Sequence, residues 1–136
     1  MKVCFKGMKE FFVDEKKKVV MDFFNFLNTQ LPLDNDIIIR LIKNRDVKMT
    51  TGVRLPGGDI HVLVKGRLLI DIMRTIAHEW VHEFQHQKMG LKDFDKIKDI
   101  GGPEENMANV LSGIFIKQFE KKFPNYSPML YGEDSK

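Results

Sequence analysis

The sequence predicts an α+β fold in which a small, mostly antiparallel sheet packs with three main helices. Two observations favour this class. Apolar residues recur at helical spacing in three long segments of the chain. Between the first and second of these segments lie short runs rich in β-branched residues and bounded by turn signals. The chain has 136 residues, 43% of them hydrophobic and 30% charged, so we expect one globular domain over residues 1–136.

The first helix is expected over about residues 8–27 as a single amphipathic element. The lysine run at residues 16–18 lies among acidic residues, which is typical of a solvated helix face. Residues 31–35 contain Pro32 and Asn35, which end the helix and turn the chain. The predicted apolar face consists of Phe12, Val19, Val20, Phe23, Phe24 and Leu27.

The middle of the chain carries the predicted strands. Residues 37–43 are rich in isoleucine and predict a strand, and residues 44–46 can form a turn. Residues 47–55 predict a weaker strand, which Gly52 interrupts. Residues 56–59 read Pro-Gly-Gly-Asp, a strong turn signal, and residues 60–64 alternate as a short strand.

Two further helices follow. The second begins near residue 68 and ends near residue 88, where Met89 and Gly90 provide a stop. Residues 91–100 form a charged connection to which no structure is assigned. The third helix begins at residues 101–105, where glycine, proline and acidic residues mark a start, and it ends near residue 122. The tail over residues 127–136 is expected to be a loop with mobile last residues.

Composition limits the classes of function. The net charge of +3 is only mildly basic, and the basic residues are scattered, so nucleic-acid binding is not favoured. Cys4 is the one cysteine, which excludes an internal disulfide and a four-cysteine zinc knuckle. We find no secretory signal and no apolar run of membrane-spanning length. The expected location is therefore cytoplasmic, with no membrane partner, and the sequence indicates no oligomeric state.

The sequence H-E-x-x-H at residues 78–82 makes the most specific chemical proposal. His78 and His82 are four residues apart, so on a helix their imidazoles lie on one face and can bind one Zn²⁺. Glu79 can reach a water at such a site and act as its general base. The motif therefore predicts a zinc site with a catalytic carboxylate beside it.

A catalytic zinc normally has a third protein ligand. A histidine six residues beyond the second is absent, because position 88 is lysine, and a straight helix carries His86 one turn past the metal. We interpret His86 as a surface or cleft-edge residue. A carboxylate at the start of the third helix, Glu104 or Glu105, is the better candidate, although both can equally serve to complement the helix dipole. The spacing alone does not separate these two.

The two motifs together resemble those of gluzincin-type peptidases, in particular the compact ImmA/IrrE-like group. The resemblance rests on H-E-x-x-H at residues 78–82 and E-x-x-A-N at residues 105–109, and it extends over about residues 68–119. It implies a zincin-like minimal metallopeptidase domain in which Glu105 is the third ligand and Asn109 supports it. It also implies a protein or peptide substrate lying along an edge strand.

Stabilisation of the oxyanion requires a further donor. Tyr131, Tyr126 and His61 are the candidates, in that order. Each has an ordinary alternative, since the tyrosines can anchor the C-terminal segment and His61 can be a strand surface residue. If residues 60–64 form the edge strand beside the cleft, a peptide can add to that strand.

Three functions follow from these patterns. The first is a zinc-dependent metallopeptidase acting on an unidentified protein. The alternative is a metal-binding interaction protein without significant hydrolysis, but Glu79 favours the first, because a structural site needs no base there. A DNA-associated protease of the SprT-like kind ranks last, because those enzymes use a third histidine and none follows His86.

Overall fold

The computed structural model describes residues 3–44, 51–55, 57–89 and 103–132. This part of the chain is an α+β arrangement, as predicted, with a four-stranded sheet, three long helices and two short ones. The strands are β1 (Val3–Lys6), β2 (Ile37–Ile42), β3 (Gly52–Leu55) and β4 (Asp59–Leu63). The helices are α1 (Met8–Phe11), α2 (Asp14–Gln30), α3 (Leu69–Met89), α4 (Pro103–Lys122) and α5 (Ser127–Leu130), and a 3₁₀ turn at Pro124–Tyr126 precedes α5.

The sheet is mixed, so the prediction of a mostly antiparallel sheet was wrong. The strand order is β1-β2-β4-β3; β2 runs parallel to both β1 and β4, and only β3 and β4 are antiparallel. After β2 the chain forms β3 at the edge of the sheet, and it then returns as β4, which lies between β2 and β3. Gly57 and Gly58 make this return with φ values of +84° and +79°, which glycine adopts without strain. Because β3 lies outside β4, the two strands that run in the same direction, β2 and β4, are the ones that pair.

The strand β1 was not expected from the sequence. It has four residues and pairs with β2 from Val3 opposite Ile37. Its Phe5 ring packs edge-on against the Phe24 ring of α2, with centroids 5.0 Å apart. So short a segment carries no distinctive alternation, and its place in the sheet depends on contacts with β2 and α2.

The predicted first helix is two helices in the structure. The chain is extended at Phe12, with φ −125° and ψ 134°, and at Val13, with φ −68° and ψ 167°. This break lets the Phe12 ring enter the core, where the residue is 7% exposed. Asp14 and Glu15 then lie in the first turn of α2, where negative charge complements the helix dipole. The prediction was wrong because Phe12 shares the helical spacing of the residues after it.

The core lies between one face of the sheet and the helices α2, α3 and α4. Alternate residues of β2 and β4 are buried on this face, as expected of half-buried strands. Trp80 of α3 is fully buried, and its indole Nε1 donates to the Leu31 carbonyl oxygen at 2.8 Å. The Trp80 ring also packs edge-on against Phe24, with centroids 4.9 Å apart. These contacts hold α3 across the sheet with its polar face towards α4.

The remaining predicted elements divide into three groups. The second and third predicted helices are confirmed as α3 and α4, and the strands predicted at 37–43 and 60–64 as β2 and β4. Gly52 begins β3 rather than interrupting it, and the expected loop after residue 126 begins with α5. The turn at 44–46, the connection at 91–100 and the mobile end fall largely or wholly outside the described residues.

No helix in the described ranges has the length and apolarity needed to cross a membrane.

Candidate metal centre

His78 and His82 occupy successive turns of α3 and direct their imidazoles towards α4. The helical period brings their rings together, with centroids 4.7 Å apart. Their Nε2 atoms are 3.2 Å apart, and the side chains are about one-fifth exposed. The two rings therefore present one nitrogen each to the same small space, as the motif predicts.

Glu105 in the first turn of α4 completes the cluster. Its Oε1 atom is 2.8 Å from Nε2 of His78 and 2.8 Å from Nε2 of His82. Ala108, which is fully buried, has too small a side chain to hold the helices apart. Glu104 is exposed, so the structure brings Glu105 and not Glu104 to the histidines.

This donor set is of a kind that can hold a metal ion such as zinc. Two imidazole nitrogens and one carboxylate oxygen are the ligands of a common type of catalytic zinc site, which keeps its fourth position for water. Ligand atoms at about 2.0–2.1 Å from a tetrahedral zinc lie about 3.3 Å apart. The two nitrogens are 3.2 Å apart, close to that value, and each lies 2.8 Å from the Glu105 oxygen, which is a hydrogen-bond distance. Within the described ranges, this is the one group of three such side chains able to hold a metal.

The side chain of Glu79, a residue of α3, lies close to the edge strand β3. The residue is 7% exposed. A Cβ atom placed on Gly52 of β3 would lie 3.4 Å from Cγ of Glu79 and 2.4 Å from Cγ2 of Thr75. The absence of a side chain at Gly52 therefore lets the edge strand approach the helix turn that carries Glu79.

The other sequence candidates lie apart from the cluster. The Tyr131 hydroxyl donates to Oε1 of Glu120, which raises the pKa of Tyr131. Glu120 follows Glu105 by four turns of α4, about 22 Å along the helix axis. The structure thus places Tyr131 at the opposite end of α4 from Glu105. His86 is half-buried on α3 and is not part of the three-residue group.

Tyr126 anchors the C-terminal segment to α2. Its hydroxyl donates to Oδ2 of Asp22 at 2.5 Å and accepts from Nζ of Lys18 at 3.0 Å. Burial raises the pKa of Asp22, but the hydrogen bonds from Tyr126 and Lys18 outweigh that effect and leave this pKa below its usual value. The Tyr126 ring also stacks on Phe123, with centroids 5.3 Å apart. These contacts match the anchoring role that the sequence allowed for the tyrosine.

His61 lies on β4, which is an inner strand. The strand pairs with β2 on one side and with β3 on the other, so the suggestion that residues 60–64 form the edge was wrong. The His61 ring is close to its own strand neighbour, with Nε2 3.3 Å from Oδ1 of Asp59. The edge strand on the α3 side is β3.

A polar network around α3 was missed from the sequence. Arg54 of β3 forms a buried ion pair with Glu83, with Nε and Oε1 2.5 Å apart. Gln87 donates to Oε2 of Glu83 at 2.6 Å, and its Oε1 accepts from the backbone nitrogens of Asp34 and Asn35 at 2.7 and 2.9 Å. Charged and amide residues near the end of a helix are usually exposed, so residue type gave no reason to expect this network. The only signal in the sequence was the helical spacing of these residues from the H-E-x-x-H motif.

A second amide of α3 contacts the cluster directly. Gln85 lies one turn after His82, and its Oε1 is 2.9 Å from Nδ1 of that histidine. Its Nε2 donates to the backbone oxygen of Glu104 at 2.9 Å. The spacing of three residues from His82 was a signal that the sequence contained and that we did not use.

The chain matches no family model, no curated protein and no solved structure in the comparisons made. What it does is therefore inferred from its own site.

Proposed function

We propose that this protein is a zinc-dependent metallopeptidase of the compact gluzincin-like type, which hydrolyses peptide bonds of a protein or peptide substrate. The observation that carries the proposal is the convergence of His78, His82 and Glu105 from two helices. Glu79 adjoins the first of these ligands in the chain, and a purely structural metal site requires no carboxylate at that position.

The three proposed ligands and Glu79 have different roles in the proposed reaction. His78, His82 and Glu105 would hold the zinc ion, which would supply the Lewis acidity that makes water a nucleophile near neutral pH and polarises a carbonyl. Glu79 accepts a proton from the attacking water and donates it to the leaving amine as the C–N bond breaks. Its low exposure favours this role, because a carboxylate removed from bulk water holds and returns a proton at a defined place.

The edge strand β3 indicates the kind of substrate. Among the described residues, β3 pairs with β4 only, so its other edge offers backbone donors and acceptors. An extended peptide can pair with such an edge and become an additional strand. Gly52 brings this edge close to Glu79. The arrangement therefore favours an extended polypeptide substrate.

The test is hydrolysis by zinc-loaded protein, with an unfolded protein and a mixed peptide pool as substrates and mass spectrometry to detect new termini. We expect the Glu79→Gln variant to keep its zinc and to lose activity by about 10²- to 10⁴-fold, the usual contribution of a general base. Glu104→Gln makes the same change in charge at an exposed position and is expected to retain activity.

Equal hydrolysis by wild type and Glu79→Gln would contradict the assigned base. Zinc binding by the wild type with no cleavage of either substrate would instead favour a metal-binding interaction protein.

A further inference from the structure

Gln85 is a buried amide in the last turns of α3. Only 2% of the residue is exposed. Burying a primary amide is costly unless its donor and acceptor atoms find partners. Both ends of this amide have one, because Oε1 lies 2.9 Å from Nδ1 of His82 and Nε2 lies 2.9 Å from the backbone oxygen of Glu104.

The second contact determines which way the amide faces. A backbone carbonyl oxygen only accepts hydrogen bonds, so the NH₂ group of Gln85 must face Glu104. The amide oxygen therefore faces His82, and because that oxygen also only accepts, it takes a hydrogen bond from Nδ1 of the imidazole in the tautomer that carries hydrogen on Nδ1. In a neutral ring with hydrogen on Nδ1, the lone pair is on Nε2. That is the nitrogen which faces His78 and Glu105.

We propose that Gln85 is a positioning residue for the metal centre. It holds the His82 ring in the orientation and tautomer that a metal ligand requires, and it fastens the first turn of α4 to α3 beside Glu105. One amide thereby aligns ligands from two helices. This inference rests on the proposed metal site but not on peptide hydrolysis.

Gln87 provides an internal comparison. It is an amide on the same helix two residues later, and its contacts are with Glu83, Asp34 and Asn35 on the β3 side of the molecule. Replacing Gln87 removes hydrogen bonds of the same kind from α3 without touching a proposed ligand. The pair Gln85 and Gln87 therefore separates ligand positioning from a general contribution to helix packing.

The experiment compares Gln85→Met, Gln85→Glu and Gln87→Met in two measurements. The first is the zinc dissociation constant, obtained by competition with a chromogenic chelator. We expect Gln85→Met to weaken binding by about 10- to 100-fold, as replacing the hydrogen-bond partner of a metal-binding histidine does. Gln85→Glu retains an acceptor for Nδ1 and is expected to bind more tightly than Gln85→Met, while Gln87→Met is expected to match the wild type.

The second measurement needs no metal. In ¹⁵N-edited spectra of the metal-free protein, the hydrogen-bonded Nδ1 proton of His82 is expected in the wild type and in Gln87→Met, and absent from Gln85→Met. Thermal unfolding of each metal-free variant shows whether the fold is intact.

Three results would overturn the proposal: an unchanged zinc affinity in Gln85→Met, equally weak binding by Gln85→Met and Gln85→Glu, or a wild-type spectrum without the Nδ1 proton. The outcomes are distinct from those for hydrolysis. If Gln85→Met binds zinc more weakly but the wild type cleaves no peptide, the role of Gln85 is supported and the peptidase function is contradicted. If the wild type cleaves peptides but Gln85→Met binds zinc as tightly as the wild type, the peptidase function is supported and the role of Gln85 is contradicted.

Discussion

At the scale of single residues, the proposed metal centre depends on which atom each side chain presents. The histidines present Nε2, and Glu105 presents one carboxylate oxygen, so three atoms of suitable chemistry meet within 3.2 Å of one another. The neighbouring Glu104 has the same side chain but points it into solvent, because successive helical residues differ in direction by about 100°. Position on the helix, and not residue type, distinguishes the two glutamates.

This difference leads to the first prediction. Glu105→Ala removes one of three ligands and is expected to lose most of its bound zinc, whereas Glu104→Ala is expected to keep about one zinc per chain. Elemental analysis of untagged protein measures both. Equal zinc contents in the two variants would contradict the assignment of Glu105.

Gly52 is the second position where a single residue matters. An added Cβ would lie 2.4 Å from Cγ2 of Thr75, so Gly52→Ala is expected to displace β3 and to lower the free energy of unfolding by about 1–3 kcal/mol. Gly113→Ala is the matched control. A Cβ there meets no atom within 4 Å, and alanine in a helix is expected to raise stability by about 0.5–1 kcal/mol. Urea unfolding measures both, and a Gly52→Ala variant as stable as wild type would contradict the close approach.

At the scale of secondary-structure elements, α3 organises the molecule. Its apolar face packs on the sheet through residues such as Trp80, and its ligand-bearing face meets α4. A third side of the helix is tied to the edge strand by the Arg54–Glu83 ion pair, whose side chains are 4% and 3% exposed. A buried charge needs its partner, since its own desolvation is expensive. The position of β3 beside α3 therefore depends on this pair.

The third prediction concerns that pair. Arg54→Met leaves the Glu83 carboxylate buried without its cation and is expected to lower the free energy of unfolding by about 3–5 kcal/mol. The double variant Arg54→Met with Glu83→Leu removes both charges and is expected to recover part of that loss. Chemical denaturation of the single and double variants measures the difference. A double variant less stable than Arg54→Met would show that the ion pair is not what holds β3 to α3.

At the scale of the whole molecule, the proposed metal centre joins two helices whose contacting residues are distant in the chain. His82 and Glu105 are 23 residues apart, and their contact forms only when α4 packs on α3. An ion that binds the folded chain and not the unfolded one adds its binding free energy to stability. Zinc is therefore expected to stabilise the complete fold and not only the residues that hold it.

The fourth prediction follows from this linkage. Free zinc at 100 times its dissociation constant is expected to add about 2.7 kcal/mol, which raises the Tm of a domain of this size by about 8 °C. Thermal unfolding with zinc and with excess chelator measures the shift. Glu105→Ala should show almost none, and an equal shift in that variant would mean that zinc binds elsewhere.

Local features of the site were predictable for a clear reason. The positions of His78, Glu79 and His82 relative to one another depend on the period of one helix, and that period is a property of any helix. The alternation of buried residues in β2 and β4 is equally local. The choice of Glu105 over Glu104 was not, since spacing left the two equal and only resemblance separated them. Their difference appears when α4 is placed against α3.

What the sequence by itself determined is the location of β2, β4, α3 and α4 and the side-by-side placement of the two histidines. The apolar residues of a helix recur every 3.6 residues and those of a strand every 2, so neighbouring positions in the chain reveal these segments without any distant contact. The tertiary structure alone decided the order and direction of the strands, the break at Phe12 and the orientation of Gln85 towards His82. It also placed Tyr131 against Glu120, which lies about 22 Å along α4 from Glu105. These features depend on which surfaces pack together, and packing is a property of the folded chain as a whole.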